Sequence, residues 1–188
     1  IAELVAAFAR EPRITLISMI HEQSAGFAAE AEYKVTGQIA VALATSGPGA
    51  LNLVNPAANA YYDSTPVFLL TGNVASGYRR QAGERQRGFQ EAPIVDVFKP
   101  LTKATVDLRT AGRAARSVTR LLVEAQEGRP GPVLLDVPVD VLRATAPIEQ
   151  DTYIDQLLGV DHDAIAVFLC RYNAALKGAK RPLILVGG

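Results

Sequence analysis

Glu22 is the acidic residue best placed to do chemistry in this sequence. It follows the apolar run I-T-L-I-S-M-I at residues 14–20 and is flanked by His21 and Gln23. Ligands of parallel sheets bind beyond the carboxyl ends of the strands, so a carboxyl group at such an end can hold or accept a ligand's proton. The structural alternative is a solvated acid at a helix N-terminus, where the helix dipole favours negative charge. His21 is open to similar interpretations, as a helix cap, a packing residue or a proton carrier.

A second polar turn follows the next apolar run. The sequence T-S-G-P-G at residues 45–49 suits a tight connection from a strand to a helix, with Pro48 at the first helical position. Its glycines allow a ligand to approach the backbone closely. The turn has neither the G-x-x-x-x-G-K-[ST] pattern of phosphate-binding loops nor the G-x-G-x-x-G pattern of dinucleotide-binding turns. The usual signs of a nucleotide-binding domain are therefore absent from it.

Short apolar runs alternate with longer amphipathic or alanine-rich segments, which is typical of βα units on a parallel sheet. This pattern predicts strands at residues 14–20, 39–44, 67–71 and 133–137. It predicts helices at residues 2–9, 25–35, 49–62 and 111–127. A break is expected near Asn55, because Pro56 cannot donate a helical hydrogen bond. The first three strands would bring Glu22, the T-S-G-P-G turn and Gly72 to one edge of the sheet.

The rest of the chain suggests a second domain. Residues 72–93 form a long polar segment without a clear period, and loops of this length are often functional. After Asp140 the pattern loosens, and a helix at 163–177 and a strand at 182–186 follow. We therefore expect one domain at residues 1–145, a linker at 146–162 and the beginning of a central α/β domain at 163–188.

Composition narrows the class of partner. Nineteen basic residues balance nineteen acidic ones, which predicts no binding to nucleic acid or to an anionic membrane. No apolar run reaches the roughly 20 residues that a membrane span needs, and no signal-peptide pattern occurs. The single cysteine, Cys170, excludes an internal disulfide and suits a reducing compartment. We expect a cytoplasmic protein that binds small molecules and other protein surfaces.

An ordered set of motifs runs through most of residues 1–142. It comprises H-E-Q at 21–23, A-A-E at 28–30, T-S-G-P-G-x-x-N at 45–52, G-F-Q-E at 88–91 and G-R-P-G-P-V-L-L-D-V-P at 128–138. In this order the motifs resemble the pyrimidine-binding domain of the acetolactate synthase-like thiamine-diphosphate enzymes. The resemblance implies an α/β fold with a doubly wound, mainly parallel sheet and helices on both faces, here without the family's opening strand.

The resemblance also implies roles for five residues. Glu22 matches the glutamate that activates the cofactor, and Pro48 and Asn52 match residues that line the aminopyrimidine pocket. Phe89 and Gln90 match residues near the substrate. The carboxyl of Glu22 would hydrogen-bond the ring nitrogen N1′ of thiamine diphosphate and so prepare the cofactor to attack a 2-keto acid. The implied activity is that of a carboligase, which decarboxylates pyruvate or a related 2-keto acid and transfers the two-carbon unit to a second carbonyl.

Part of the family's site is missing from this sequence. The G-D-G…N segment that holds Mg²⁺ and the diphosphate does not occur, so the resemblance implies that Mg²⁺ is bound by a domain outside this chain. Family members place the cofactor between subunits, which implies a homo-oligomer, either a dimer or a tetramer, with the site at its interface. FAD in the central domain remains open. We expect residues 1–188 alone to be inactive.

Two departures from the family leave the acceptor open. Val139 stands where biosynthetic acetolactate synthases usually carry a channel lysine, and the loop before G-F-Q-E contains Arg79, Arg80, Arg85 and Arg87. Guanidinium groups suit a phosphorylated acceptor, whereas a solvated surface loop is the alternative. A 2-keto acid decarboxylase or oxidase is the alternative with the same cofactor. A non-catalytic α/β binding or regulatory module is the alternative from another class.

Overall fold

The structure, a computed structural model, describes residues 1–146 and 162–181. Contacts divide the chain into two compact units, Ile1–Asp151 and Thr152–Gly188. Helix α8 (His162–Gly178) lies in the second unit and agrees with the predicted helix at 163–177. The predicted strand at 182–186 and most of the predicted linker lie outside the described residues, and the domain boundaries stay predictions. No helix within the described ranges is long and apolar enough to cross a membrane.

Four parallel strands form the sheet of the first unit. They are β1 (Val41–Ala44), β2 (Phe68–Asn73), β3 (Ala104–Asp107) and β4 (Val133–Pro138), arranged in the order β1-β2-β4-β3. The central strands β2 and β4 are buried along their whole length, which explains their nearly continuous apolar sequences. The predictions found β1, β2 and β4 but missed β3, whose sequence A-T-V-D has no apolar run.

Helices cover both faces of this sheet. They are α1 (Ala2–Phe8), α2 (Glu22–Thr36), α3 (Pro48–Leu51), α4 (Val54–Tyr62), α5 (Ile94–Phe98), α6 (Ala114–Gln126) and α7 (Val139–Arg143). One apolar core joins α2, α4 and α5 to the sheet through Leu69 and Leu134. A second core joins α6 and α7 through Leu70 and Leu135, since successive strand residues point to opposite faces. The predicted α/β class, with helices on both faces of a parallel sheet, is confirmed.

The helix predicted at residues 49–62 is two helices. Helix α3 ends at Leu51 and α4 begins at Val54, so the break precedes the position expected near Asn55. Pro56 lies in the first turn of α4, where backbone N–H groups have no acceptor within the helix, so its missing N–H costs little. The break leaves Asn52 directly after α3, at the edge where the strands deliver their polar residues.

The strand predicted at residues 14–20 does not form. No strand or helix is assigned to this segment. The edge strand β1 pairs with β2 on one side, and the segment does not add to its other side. Ile17 and Ile20 are exposed accordingly. A strand needs a neighbour for its backbone N–H and C=O groups, and among the described residues this apolar run has none.

Candidate active site

Glu22 is the first residue of helix α2, which begins three residues earlier than predicted. His21 is the N-cap, and its Nδ1 accepts a hydrogen bond from the backbone N–H of Gln23 at 3.1 Å. The cap satisfies a donor that the first turn would otherwise leave free. His21 therefore has the structural role of a cap, and its own extended backbone (φ −136°, ψ 137°) marks the point at which α2 begins. Glu22 thus lies where the helix dipole favours a negative charge.

The Glu22 carboxylate is held by Asn52, thirty residues further along the chain. Asn52 Nδ2 donates to Glu22 Oε2 at 3.0 Å. This hydrogen bond is the main reason that the pKa of Glu22 lies below its usual value, followed by a backbone hydrogen bond of Glu22 itself, and together they outweigh burial. Glu22 is therefore ionised at neutral pH in this structure. The two residues that the resemblance assigned to one pocket lie in direct contact.

Other parts of the chain lie very close to the two glycines of the T-S-G-P-G turn. A Cβ atom on Gly49 would lie 3.0 Å from Glu22 Oε1 and 2.7 Å from Thr45 Cγ2. Gly47 has φ 62°, and a Cβ there would lie 2.2 Å from the carbonyl oxygen of Gln90. Pro48 occupies the first position of α3, as predicted. Because Gly49 and Gly47 have no side chains, the Glu22 carboxylate can lie close to Gly49 and the Gln90 backbone can lie close to Gly47.

Phe89 and Gln90 differ in how the structure places them. The backbone of Gln90 lies against Gly47, which brings it to the turn that also contacts Glu22. Gln90 has φ 57°, a left-handed conformation that is uncommon for a residue other than glycine. The Phe89 side chain is 85% exposed, so it is not packed against Glu22. The structure therefore gathers Glu22, Pro48, Asn52 and the Gln90 backbone around one turn and leaves Phe89 outside.

A buried polar network that the motif analysis missed lies at the ends of β2 and β4. Asp136 is 1% exposed and accepts hydrogen bonds from Thr71 Oγ1 at 2.7 Å and Asn73 Nδ2 at 2.5 Å. Arg79 donates two hydrogen bonds to Asp107, at 2.5 and 2.7 Å, and lies 3.7 Å from Asp136. Burial raises the pKa of Asp136 to about 6, although Asn73, Thr71 and Arg79 oppose the rise. An aspartate inside the apolar run V-L-L-D-V was the available signal, because a buried charge requires partners.

A cavity of about 690 Å³ opens beside this network. Its lining includes four acidic residues and four arginines, the latter being Arg79, Arg80, Arg87 and Arg109. Equal numbers of opposite charges make it less suited to a phosphorylated ligand than the arginine-rich sequence suggested, and Arg85 is not part of the lining. In the part of the chain that the structure describes, no three His, Cys, Asp or Glu side chains are grouped as a metal site.

Comparison with protein families identifies the domain. Residues 1–98, more than half of the chain, match the family described as "Thiamine pyrophosphate enzyme, N-terminal TPP binding domain". Thiamine pyrophosphate (TPP) is another name for thiamine diphosphate. The chain belongs to this family. The matched region of this thiamine pyrophosphate enzyme domain contains Glu22, the T-S-G-P-G turn, Asn52 and the G-F-Q-E motif.

Several curated relatives are acetolactate synthases. The chain is 36% identical over 192 residues to acetolactate synthase 2, chloroplastic, of Zea mays, a match that covers 99% of this chain and 29% of the relative. It is 34% identical over 190 residues to the mitochondrial acetolactate synthase of Schizosaccharomyces pombe, covering 96% and 28%. It is 44% identical over 123 residues to the acetolactate synthase of Mycobacterium bovis, covering 65% and 19%. The predicted likeness to acetolactate synthases is confirmed, and the chain spans less than a third of the length of these relatives.

Proposed function

We propose that this domain supplies the pyrimidine-binding half of the active site of a thiamine-diphosphate-dependent carboligase resembling acetolactate synthase. In the proposed reaction, pyruvate or a related 2-keto acid loses carbon dioxide, and its two-carbon unit is transferred to a second carbonyl. When bound, thiamine diphosphate supplies the electron sink for the decarboxylation. The observation that carries the proposal is the Glu22 carboxylate, held by Asn52 at 3.0 Å beside the glycine turn in a chain of this enzyme family.

The residues present fit the aminopyrimidine ring. Asn52 fixes Oε2 of Glu22, and the missing side chain of Gly49 leaves room beside Oε1. An ionised carboxylate and the ring nitrogen N1′ are both hydrogen-bond acceptors, so the pair must hold one proton between them. Because Glu22 is ionised in this structure, that proton would be taken up when the cofactor binds. Glu22 is thus the proposed catalytic residue, with Pro48 and Asn52 as its companions in the pocket.

Phe89 and Gln90 are the proposed substrate residues. Gln90 adjoins the turn through its backbone, and the exposed Phe89 side chain has room to contact a ligand or a second protein surface. Such a contact would bury an aromatic side chain that is 85% exposed in this structure. We therefore place the substrate beside Phe89 and Gln90, next to the T-S-G-P-G turn, with a 2-keto acid as the donor.

The remaining parts of the site would come from outside this chain. The cofactor's diphosphate needs a Mg²⁺ ion, which in turn needs oxygen ligands from the protein. We assign these ligands to another domain. Whether that protein also binds FAD is left open. A homo-oligomer, a dimer or a tetramer, would then complete the site at a subunit interface. We also propose a cytoplasmic location, whereas the plant and fungal relatives have names that specify the chloroplast or the mitochondrion.

Product analysis tests this proposal. The full-length enzyme, supplied with thiamine diphosphate, Mg²⁺ and pyruvate as the only organic substrate, is expected to form acetolactate. Acetaldehyde as the main product would indicate a decarboxylase, and acetate or acetyl phosphate would indicate an oxidase. A protein that binds the cofactor but consumes no 2-keto acid would be a non-catalytic module.

A further inference from the structure

One carboxylate closes the loop at residues 74–91. Oε1 of Glu91 accepts a hydrogen bond from the backbone N–H of Arg80 at 2.6 Å. Oε2 accepts hydrogen bonds from the backbone N–H groups of Arg87 at 2.9 Å and Gly88 at 3.1 Å. Burial alone would raise the pKa of Glu91, but these three hydrogen bonds lower it below its usual value. A single side chain therefore ties the early part of the loop to its end.

The residue before Glu91 is fixed from two sides. Gln90 has φ 57°, and a non-glycine residue keeps such a conformation only where its surroundings determine it. On one side Glu91 anchors the chain. On the other side the Gln90 carbonyl oxygen occupies the space that a side chain on Gly47 would fill. Gly88 adds a further close contact, since a Cβ there would lie 2.7 Å from Val74 Cγ1.

We propose that Glu91 is a positioning residue, which closes this loop and so holds Phe89 and Gln90 where the 2-keto acid binds. The inference rests on the proposed function, which assigns Phe89 and Gln90 to the substrate. Among the described residues, every hydrogen bond of the Glu91 side chain goes to the backbone of its own loop. Glu91 therefore acts through its neighbours and does not touch the reacting atoms.

A glutamine cannot replace this carboxylate. Its amide offers one oxygen and one NH₂ group, whereas backbone donors face both oxygens of Glu91. In either orientation the NH₂ group would meet an N–H donor, and one part of the loop would be released. Glu84 provides a matched control, since its Oε2 accepts a hydrogen bond from Gln81 N at 2.8 Å, three residues away, and does not join distant parts of the loop.

Trypsin and steady-state kinetics together test the proposal on the full-length holoenzyme. The loop contains Arg80, Arg85 and Arg87, and cleavage there requires the loop to open. We expect Glu91→Gln to speed cleavage in the loop by about tenfold, and to raise the KM for pyruvate by about tenfold while kcat stays within about threefold. Glu84→Gln should change each quantity by less than about twofold. Glu91→Asp, which keeps both oxygens on a shorter stem, should give intermediate values and serves if Glu91→Gln does not fold.

Each possible outcome decides part of the proposal. Unchanged cleavage in Glu91→Gln would show that this carboxylate does not close the loop. Faster cleavage with an unchanged KM would show that the closed loop does not position the substrate. A wild-type enzyme that consumes no 2-keto acid would overturn the proposed function and the substrate role together, while the cleavage rates would still decide whether Glu91 closes the loop.

Discussion

Two segments lead to the candidate active site, and they are held in opposite ways. Residues 14–20 lead into Glu22 and are mainly apolar, yet they pair with no strand among the described residues. Residues 74–91 are polar and without a period, yet the Glu91 carboxylate ties them together and Gln90 lies against the glycine turn. A regular apolar pattern does not ensure a partner, whereas a few hydrogen bonds to carboxylates can fix an irregular loop.

Carboxylates outside the loop hold it as well. Asp140 on α7 accepts hydrogen bonds from the backbone N–H and the hydroxyl of Ser76, at 3.1 and 3.3 Å. Asp107 at the end of β3 binds Arg79 with two hydrogen bonds. Hydrogen bonds to ionised groups are stronger than neutral ones, so these two carboxylates strengthen the attachment of the loop to α7 and to β3. Within the described ranges residues 14–20 have no such anchor, and Glu22 is fixed instead by the helix cap and by Asn52.

Removing the carboxyl of Glu22 should have the largest effect. Glu22→Gln keeps the size of the side chain but removes the group that we propose to share a proton with the cofactor, so turnover of the full-length enzyme should fall by about 10² or more. Glu32→Gln, an exposed residue on the same helix, is the control and should remain near wild type. Steady-state rates with pyruvate measure the difference. A Glu22→Gln rate within about twofold of wild type would mean that the first segment delivers no catalytic residue.

The buried carboxyl behind the loop should produce the next largest effect. Burial raises the pKa of Asp136 in the fold to about 6, above the ordinary value of 3.8, so between about pH 4 and 6 the folded state binds its proton more tightly than the unfolded state. Its contribution to stability is therefore fully present below about pH 4 and is lost as the pH rises through about 6. Replacing it by asparagine should abolish this loss, which is on the order of 3 kcal/mol.

The contribution of Asp136 to stability is measured by denaturant unfolding of wild type and Asp136→Asn at pH values from about 4 to neutrality. The carboxylates whose pKa values lie below the ordinary range, among them Glu22, Glu91 and Asp140, occur in both proteins and cancel in the difference. The difference in unfolding free energy should thus change with pH across that window. A constant difference would show that Asp136 is ionised throughout and that its donors outweigh its burial.

Two glycine-to-alanine substitutions test whether the loop at residues 74–91 is packed against the T-S-G-P-G turn. Gly37 and Gly47 both have positive φ, of 74° and 62°, but only a Cβ on Gly47 would meet another group, the Gln90 carbonyl oxygen. Gly37→Ala should cost about 1–2 kcal/mol from backbone strain alone. Gly47→Ala should cost at least about 1 kcal/mol more, because Gln90 must also move. Equal losses in unfolding free energy would indicate that the loop is not packed against the turn.

The exposed arginines of the loop should matter least. Arg85 and Arg87 are exposed, and Arg87 Nε lies 3.7 Å from Glu84 Oε2. Replacing both by alanine should leave the decarboxylation of pyruvate nearly unchanged and alter stability by less than about 0.5 kcal/mol. A selective loss of acceptor use, by about 1–3 kcal/mol per lost contact, would favour a phosphorylated acceptor. A parallel fall in both half-reactions would contradict the view that these side chains are merely solvated.

Sequence reasoning found the features that depend on local pattern or on motifs. The central strands β2 and β4, and the motifs that bring Glu22 to Asn52, were predicted because buried strands are apolar and the motif order is specific. The network around Asp136 was missed because it joins residues more than sixty positions apart. The strand predicted at residues 14–20 was wrong because an apolar run does not by itself specify the neighbouring strand that would pair with it and bury it.

If Glu22 activates the cofactor as proposed, it should speed the exchange of the thiamine diphosphate C2 proton with solvent. This exchange is measured by NMR after rapid quenching, in the full-length enzyme without substrate, so neither the acceptor nor the loop affects it. We expect Glu22→Gln to slow the exchange by about 10² or more, while Glu32→Gln exchanges like wild type. Equal exchange rates in wild type and Glu22→Gln would contradict it.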